Sequence, residues 1–373
     1  MKVLHLVASL ATGGAEKQLH LLCEATKGSI EHHVLAVLRG GRWSEPLRQS
    51  GVGLIQLNLP TLRTPLAVMR IREALAMIRP DVVQCWLPSM NIAGAIAART
   101  VTGLKCPVIA SVRNVDDWKG FLYRLLERCV SPLWDAVICN SYSGSLITRR
   151  AGVPEGNIHV IPNGIPHRRM ADENEVAQAR IDLRLGRDEF VVCTAGRLTG
   201  QKRVDRFLRV AASVASMTPR SRFLIAGSGP LQTELTRLAE SIGLRNNVRF
   251  LGALSDVRPV LAASDAFVLC SEREGTSNAI LEAMQAGAVP VVTDVGDNRR
   301  IVSDHVTGRI LAPEQMPGAL VELASAPSLL ARMRERASEA ASAYTVSAMA
   351  NATVEIYQKV MPRRCMEPIY EKA

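Results

Sequence analysis

Short runs of apolar, mostly β-branched residues recur almost from end to end of this chain, and each is followed by a longer segment with apolar residues at helical spacing. Runs of that kind are buried on both faces, the condition of strands in a parallel sheet that carries helices on either side. In the first half they fall at 3–7, 34–38, 54–57, 82–86, 108–112, 136–139 and 159–161. Between two of them, the segment 65–79 sets Leu66, Met69, Ala74, Leu75 and Ile78 at helical spacing. A turn-forming cluster, Pro162-Asn163-Gly164-Ile165-Pro166, and a polar stretch at 168–178 interrupt the series. It restarts at 190–195, 222–226, 248–251, 266–270 and 289–293. A chain of 373 residues exceeds one compact core, so two doubly wound α/β domains are expected. Their bounds are 1–165 and 166–345, with the segment from about 346 to 373, helical in its spacing over 346–360, crossing back onto the first.

Composition narrows the function classes. No stretch reaches the ~18 uninterrupted apolar residues of a membrane span, because the longest candidate, 92–112, is broken by Arg99 and Lys105. The start of the chain reads as a first buried strand and not as a signal peptide, since its apolar run is short and leads into a Gly-Gly turn. The cysteines are scattered with no Cys-x-x-Cys pair, and several sit inside apolar runs, which fits reduced thiols in a cytoplasmic protein. Of the net charge of +10, residues 1–165 hold +7 (18 Lys and Arg against 11 Asp and Glu). That surplus suits anionic headgroups or phosphorylated ligands, and the absence of a basic-aromatic cluster excludes a nucleic-acid module.

Three strand-to-helix junctions carry residues of chemical interest. The strand at 3–7 leads into Gly13-Gly14-Ala15-Glu16 and an apolar helix, where glycines let backbone N–H groups approach a phosphate. A Gly-Gly turn can also be mere geometry. The strand at 190–195 leads into Gly196-Arg197-Leu198-Thr199-Gly200-Gln201-Lys202, placing two cations at a strand's carboxyl end, either as a solvated basic loop or as counter-charges for a departing diphosphate. The strand at 266–270 leads into Ser271-Glu272-Arg273-Glu274-Gly275-Thr276-Ser277-Asn278 and a helix closed by Gly287. Ser277 or Asn278 is placed to cap that helix, whose N-terminus is a ready anion site. Glu282 points away from the Ile280 and Met284 stripe, so it is either solvent-facing or available to ribose hydroxyls.

The segment 271–300, with Glu274-Gly275, Glu282-Ala283-Met284 and Asp294-Val295-Gly296-Asp297-Asn298, resembles the donor-binding signature of the family-4 group of retaining GT-B glycosyltransferases. Gly13-Gly14-Ala15-Glu16, Pro162-Asn163-Gly164, Gly196-Arg197 with Lys202, and Ala226-Gly227-Ser228-Gly229-Pro230 fall in the same order as in that group, so the resemblance covers nearly the whole chain. It is nearest to members that build bacterial surface polysaccharides, including lipopolysaccharide. The resemblance implies a GT-B-like fold, two doubly wound parallel-sheet domains facing across a cleft. It implies that Glu282 binds the donor ribose, Glu274 faces the transferring sugar, and Arg197 with Lys202 clamps the diphosphate. Backbone groups of Gly275, Thr276, Ser277, Asn278, Gly13 and Gly14 complete the phosphate site, and Leu254 stands where such enzymes contact the base. It further implies retention with same-face attack, a nucleotide-diphosphate-sugar donor, a lipid-linked saccharide acceptor, and no metal or other cofactor.

Three departures from the group's pattern bear on specificity. Where many members carry a first-domain His beside the reacting sugar, this chain offers Arg113 and Asn114 as acceptor-side candidates. Thr276-Ser277 replaces the commoner aromatic-Pro, and Arg300 stands where Glu is frequent. The segment 118–128 mixes apolar and aromatic residues with cations, as interfacial helices do, and is the candidate for peripheral contact with an anionic inner membrane. The competing readings are a nucleotide-sugar 2-epimerase of the same fold and a non-catalytic nucleotide-sugar-binding protein. A dehydrogenase is disfavoured, because neither half carries the full dinucleotide fingerprint with its acidic residue.

Overall fold

The structure, a computed structural model, describes residues 1–11, 13–61, 65–114 and 120–362. It divides into two units, Met1–Gly164 together with the segment that begins at Val346, and Ile165–Thr345.

In the first unit, strands β1 (Lys2–Val7), β2 (Glu31–Leu38), β3 (Gly53–Leu59), β4 (Val82–Trp86), β5 (Val108–Val112), β6 (Ala136–Cys139) and β7 (Ile158–Val160) form one parallel sheet in the order β3-β2-β1-β4-β5-β6-β7. Alternate residues bury on opposite faces. Leu4, Leu6, Val83 and Cys85 pack with helices Pro65–Ile78 and Pro88–Thr100, while Val3, Val7, Val34 and Ile109 pack with helices Gly14–Thr26 and Val346–Val360. The last helix is fixed there by Tyr357, which is fully buried and whose hydroxyl donates to Gln84 Oε1. Gln18 pins the far end of the unit, its Nε2 donating to Gly164 O at 2.8 Å and its Oε1 accepting from Gly164 N–H at 3.0 Å.

The second unit repeats the plan with β8 (Phe190–Ala195), β9 (Ser221–Ala226), β10 (Val248–Gly252), β11 (Ala266–Leu269), β12 (Val289–Val292) and β13 (Arg309–Ile310), parallel and ordered β10-β9-β8-β11-β12-β13. The strand order therefore reverses between β1 and β4 in one unit and between β8 and β11 in the other. Loops at the carboxyl ends of such a pair diverge to opposite faces of the sheet and open a crevice, where ligands of open α/β sheets bind. β13, two residues long, was not expected from the sequence, since so short a run has no periodicity to read.

The thiols of Cys23, Cys85, Cys106, Cys139, Cys193 and Cys270 are free and buried, Cys129 is exposed, and Cys365 lies outside the described residues. Burial pushes the Cys106 and Cys139 thiols up to about 11, which leaves them protonated and inert. No described helix is long and apolar enough to cross a membrane.

Candidate functional site

The loops at the carboxyl ends of β8, β9, β11 and β12 are held together by backbone packing that only glycine permits. A Cβ at Gly227 (φ +142°) would overlap the Gly196 carbonyl oxygen, so the loop after β9 sits directly against the loop after β8. Leu198 N–H then donates to Ser228 O at 3.0 Å, and Leu231 N–H to Leu198 O at 3.2 Å. On the other side of the switch point, a Cβ at Gly296 (φ +57°) would overlap the Glu274 carbonyl oxygen, so the loop after β12 backs the Glu274 peptide. The Ala226-Gly227-Ser228-Gly229 and Asp294-Val295-Gly296 segments thus position their neighbours' side chains.

Two of the residues singled out in the sequence meet in this frame. Lys202 ends a 3₁₀ turn, Gly200–Lys202, and its Nζ donates to Glu274 Oε1 at 2.5 Å. Their side chains are 21% and 8% exposed, so the pair is largely desolvated, and removing either partner would leave a charge in a poor solvent. Gln201 stitches the same two loops twice, its carbonyl accepting from Glu272 N–H at 3.0 Å and its Nε2 donating to Arg273 O at 2.8 Å. Arg197 lies on the loop after β8 with its side chain in solvent.

The helix that follows, Asn278–Ala286, ends at Gly287 in the left-handed conformation and begins at Ser277. Ser277 occupies the N-cap position, as expected, but its side chain accepts no hydrogen bond from the first turn, which corrects the capping bond expected of it; Asn278 is the first residue inside the helix. Gly275, Thr276 and Ser277 are buried and Asn278 is half-buried, and this positive helix end begins in the same loop that carries Glu274, after β11. Glu282, one turn into the helix, is half-buried and so is not the plain solvent-facing carboxylate that the helical wheel allows. Leu254, in the loop after β10, is half-buried and packs against the core of this unit.

In the first unit, Gly13 is the N-cap residue of helix Gly14–Thr26 with no side-chain cap, and Gly14 is exposed, while the adjacent Thr12 lies outside the described residues. Arg113 is a buried cation. Its guanidinium carbon lies 4.4 Å above the Trp86 ring, its Nη1 donates to Asn163 Oδ1 at 3.4 Å, and burial lowers its pKa to about 10. Asn114 beside it is half-buried.

The sequence showed no metal-ligand cluster, yet the fold brings His5, Cys23 and His32 within 4.8 Å of one another. Each imidazole nitrogen already has a partner. Trp86 Nε1–H donates to His5 Nδ1 at 3.3 Å, which leaves His5 Nε2–H to donate to His32 Nδ1 at 3.0 Å. His32 Nε2–H then donates to the Thr26 hydroxyl at 2.7 Å, and that hydroxyl donates to Leu22 O at 2.8 Å. One tautomer set satisfies the chain, with both rings neutral. Burial above all holds the His5 pKa well below its usual range and that of His32 near 4, each lowered further by a neighbouring histidine.

Sequence comparisons agree with this architecture. The family model for glycosyl transferases group 1 matches residues 176–343, and that for glycosyltransferase family 4 matches residues 12–169, so between them they span most of the chain. A putative glycosyltransferase, EpsD of Bacillus subtilis (strain 168), is 26% identical over 69% of this chain and 71% of its own length. The Escherichia coli UDP-Gal:alpha-D-GlcNAc-diphosphoundecaprenol alpha-1,3-galactosyltransferase is 27% identical over 68% of each chain. Among solved structures, Anabaena HepE in complex with UDP-glucose superposes with a TM-score of 0.82 at 21% identity, covering 96% of this chain and all of that one, a similarity of fold.

Proposed function

The chain belongs to the family-4 type of GT-B glycosyltransferases, and from that premise we propose that it moves a hexosyl or related group, with retention of anomeric configuration, from a nucleotide-diphosphate-sugar to a lipid-linked saccharide in cell-surface polysaccharide synthesis. The observation that carries the donor half of this reading is the Lys202–Glu274 pair beside the N-terminus of helix Asn278–Ala286, at the switch point between β8 and β11.

In this reading the diphosphate binds at the helix N-terminus through backbone groups of Gly275 to Asn278, with Lys202 and the exposed charge of Arg197 around it. As the bond between the sugar's anomeric carbon and the diphosphate breaks, negative charge grows on the leaving oxygen, and fixed cations there stabilise the transition state more than the ground state. Glu274 accepts hydrogen bonds from hydroxyls of the transferring sugar, and its ion pair with Lys202 keeps both groups in place before the donor arrives. Glu282 accepts from the ribose hydroxyls and Leu254 contacts the base. The acceptor hydroxyl attacks from the face the diphosphate leaves, forming the new carbon–oxygen bond as its proton passes to a phosphate oxygen of the leaving group. No step requires a metal.

The acceptor half is supported by relatives whose names specify diphosphoundecaprenol- or diphosphopolyprenol-linked saccharides. An acceptor of that kind is held at a bilayer, and helix Phe121–Val130 of the first unit has the surface for it. Tyr123, Glu127 and Val130 face inward, whereas Phe121 and Leu122 are 79% and 78% exposed, with Leu125 and Leu126 also in solvent. Arg124 and Arg128 line one edge of this apolar arc, and the helix's one acid, Glu127, is buried away from it. Trp118 and Lys119, which the sequence placed in the same segment, lie outside the described residues.

Incubating the protein with a nucleotide-hexose and a polyprenyl-diphosphate saccharide, and reading the product's anomeric coupling by NMR, tests the reaction. A glycoside with the donor's configuration is expected. An inverted product, or release of an epimer without acceptor, would overturn this reading.

A further inference from the structure

Arg203 stands immediately after Lys202 in a backbone conformation that favours glycine, with φ +47° and ψ +47°, between the 3₁₀ turn Gly200–Lys202 and helix Val204–Met217. Non-glycine residues in the left-handed region carry strain, and such strain persists where surrounding contacts over-determine it. The contacts here are specific. Nε and Nη2 of Arg203 donate side by side to Oδ1 and Oδ2 of Asp205 at 2.9 and 2.8 Å, and Nη1 donates to Glu272 Oε1 at 2.5 Å. Arg206 Nη2 reaches the same Glu272 oxygen at 3.5 Å.

This fork ties the first turn of helix Val204–Met217 to the residue two positions before Glu274. With the two Gln201 bonds it frames the Lys202–Glu274 pair on both sides, so three consecutive residues of one loop, Gln201, Lys202 and Arg203, are each joined to the loop after β11. A glycine at 203 would adopt the same backbone without strain and would lose the fork.

We propose that Arg203 is a positioning residue for glycosyl transfer: its fork to Asp205 and Glu272 sets where Lys202 stands relative to Glu274, and thereby keeps the donor's diphosphate in register with the sugar being transferred. The inference rests on the reading of Lys202 and Glu274 as donor contacts. A shift of about 1 Å between reacting groups costs on the order of 100-fold in rate, whereas it changes the binding of a flexible diphosphate far less.

Three variants test it: Arg203→Gly, Arg203→Lys and Glu272→Gln, the last at a side chain 42% exposed, each first shown by melting to be folded. Arg203→Gly should melt no lower than the wild type, because relief of backbone strain offsets the lost ion pairs. Its kcat should fall about 10-fold or more, with the donor KM changed less than about threefold. Arg203→Lys keeps the charge without the fork and should fall between. Glu272→Gln should lose kcat to a similar extent, and adding it to Arg203→Gly should cost much less than the product of the two losses, since both weaken the Arg203–Glu272 contact. Wild-type kcat in Arg203→Gly or Glu272→Gln, or losses that multiply in the double variant, would overturn the proposal. Lys202→Ala run alongside separates the two readings. If it is inactive while Arg203→Gly is fully active, the positioning role of Arg203 alone fails; if it is as active as wild type, the donor site itself is misplaced.

Discussion

Lys202 and Glu274 lie 72 positions apart in the chain, yet the lysine ammonium donates to the glutamate carboxylate across 2.5 Å. Each comes from the loop after a different strand, and the two strands, β8 and β11, are neighbours only because the sheet reverses its order between them. The contact joins a cation suited to a diphosphate with an acceptor suited to a sugar hydroxyl. A nucleotide-sugar presents those two groups next to one another.

Glu282→Gln keeps the side chain's shape but removes its charge, so hydrogen bonds from ribose hydroxyls weaken by about 1–2 kcal/mol. Both the free nucleoside diphosphate and the nucleotide-sugar should bind roughly 10-fold more weakly, with kcat at saturation little changed. Isothermal titration with each ligand measures this. A variant that lost affinity for the nucleotide-sugar alone would place Glu282 on the sugar.

The neutral His5–His32 pair makes the fold sensitive to acid. Both pKa values are lowered on folding, so above the unfolded value of about 6.5 neither state binds the protons and nothing is lost. As pH falls below about 6.5, the unfolded chain takes up protons that the folded core refuses, His32 until near pH 4 and His5 with its pKa likewise held well below the usual range, and stability drops by up to about 1.4 kcal/mol per pH unit for each histidine. Urea midpoints between pH 8 and 5 should fall steeply below 6.5, and His32→Gln should flatten the slope. An unchanged slope in a folded His32→Gln variant would mean that other groups carry the acid sensitivity.

Much of this was legible beforehand. Every strand of four or more residues announced itself as an apolar run, clearest in the central strands such as β4, β8 and β11, which are buried on both faces and leave no polar alternation to confuse the reading. β2 is longer than its apolar run because it begins at Glu31 and includes His32, and His32 is admitted to the core by its hydrogen bonds to His5 and Thr26. Lys202, Glu274 and Glu282 could be singled out from motif order, but not the contact between Lys202 and Glu274, which depends on strand order. Arg203 left no mark at all, since a left-handed residue is betrayed in a sequence chiefly when it is glycine, asparagine or aspartate. The missing Ser277 cap was equally hidden, because a serine at an N-cap position does not reveal where its hydroxyl turns.

Helix Phe121–Val130 should bind vesicles containing phosphatidylglycerol and bind neutral ones weakly, with binding reduced as salt rises. Phe121→Ser with Leu122→Ser removes two exposed apolar side chains, so partitioning should fall at least 10-fold while the melting temperature and activity on a water-soluble acceptor hold. Co-sedimentation reads the outcome. No preference for anionic lipid at low salt, or vesicle binding untouched by the double substitution, would remove this helix as the membrane contact.

Whether glycosyl transfer takes place at the Lys202–Glu274 pair is decided by donor turnover in Lys202→Ala and Glu274→Gln, each first shown to be folded by circular dichroism and melting. Lys202→Ala should lose about 100-fold or more in turnover, the scale of one preorganised donor, together with some donor affinity, and Arg197→Ala should follow it. Glu274→Gln should lose turnover while binding the free nucleoside diphosphate nearly as well as the wild type, since its partner is the sugar. Wild-type turnover and donor affinity in these folded variants would contradict the account and put the transfer site elsewhere.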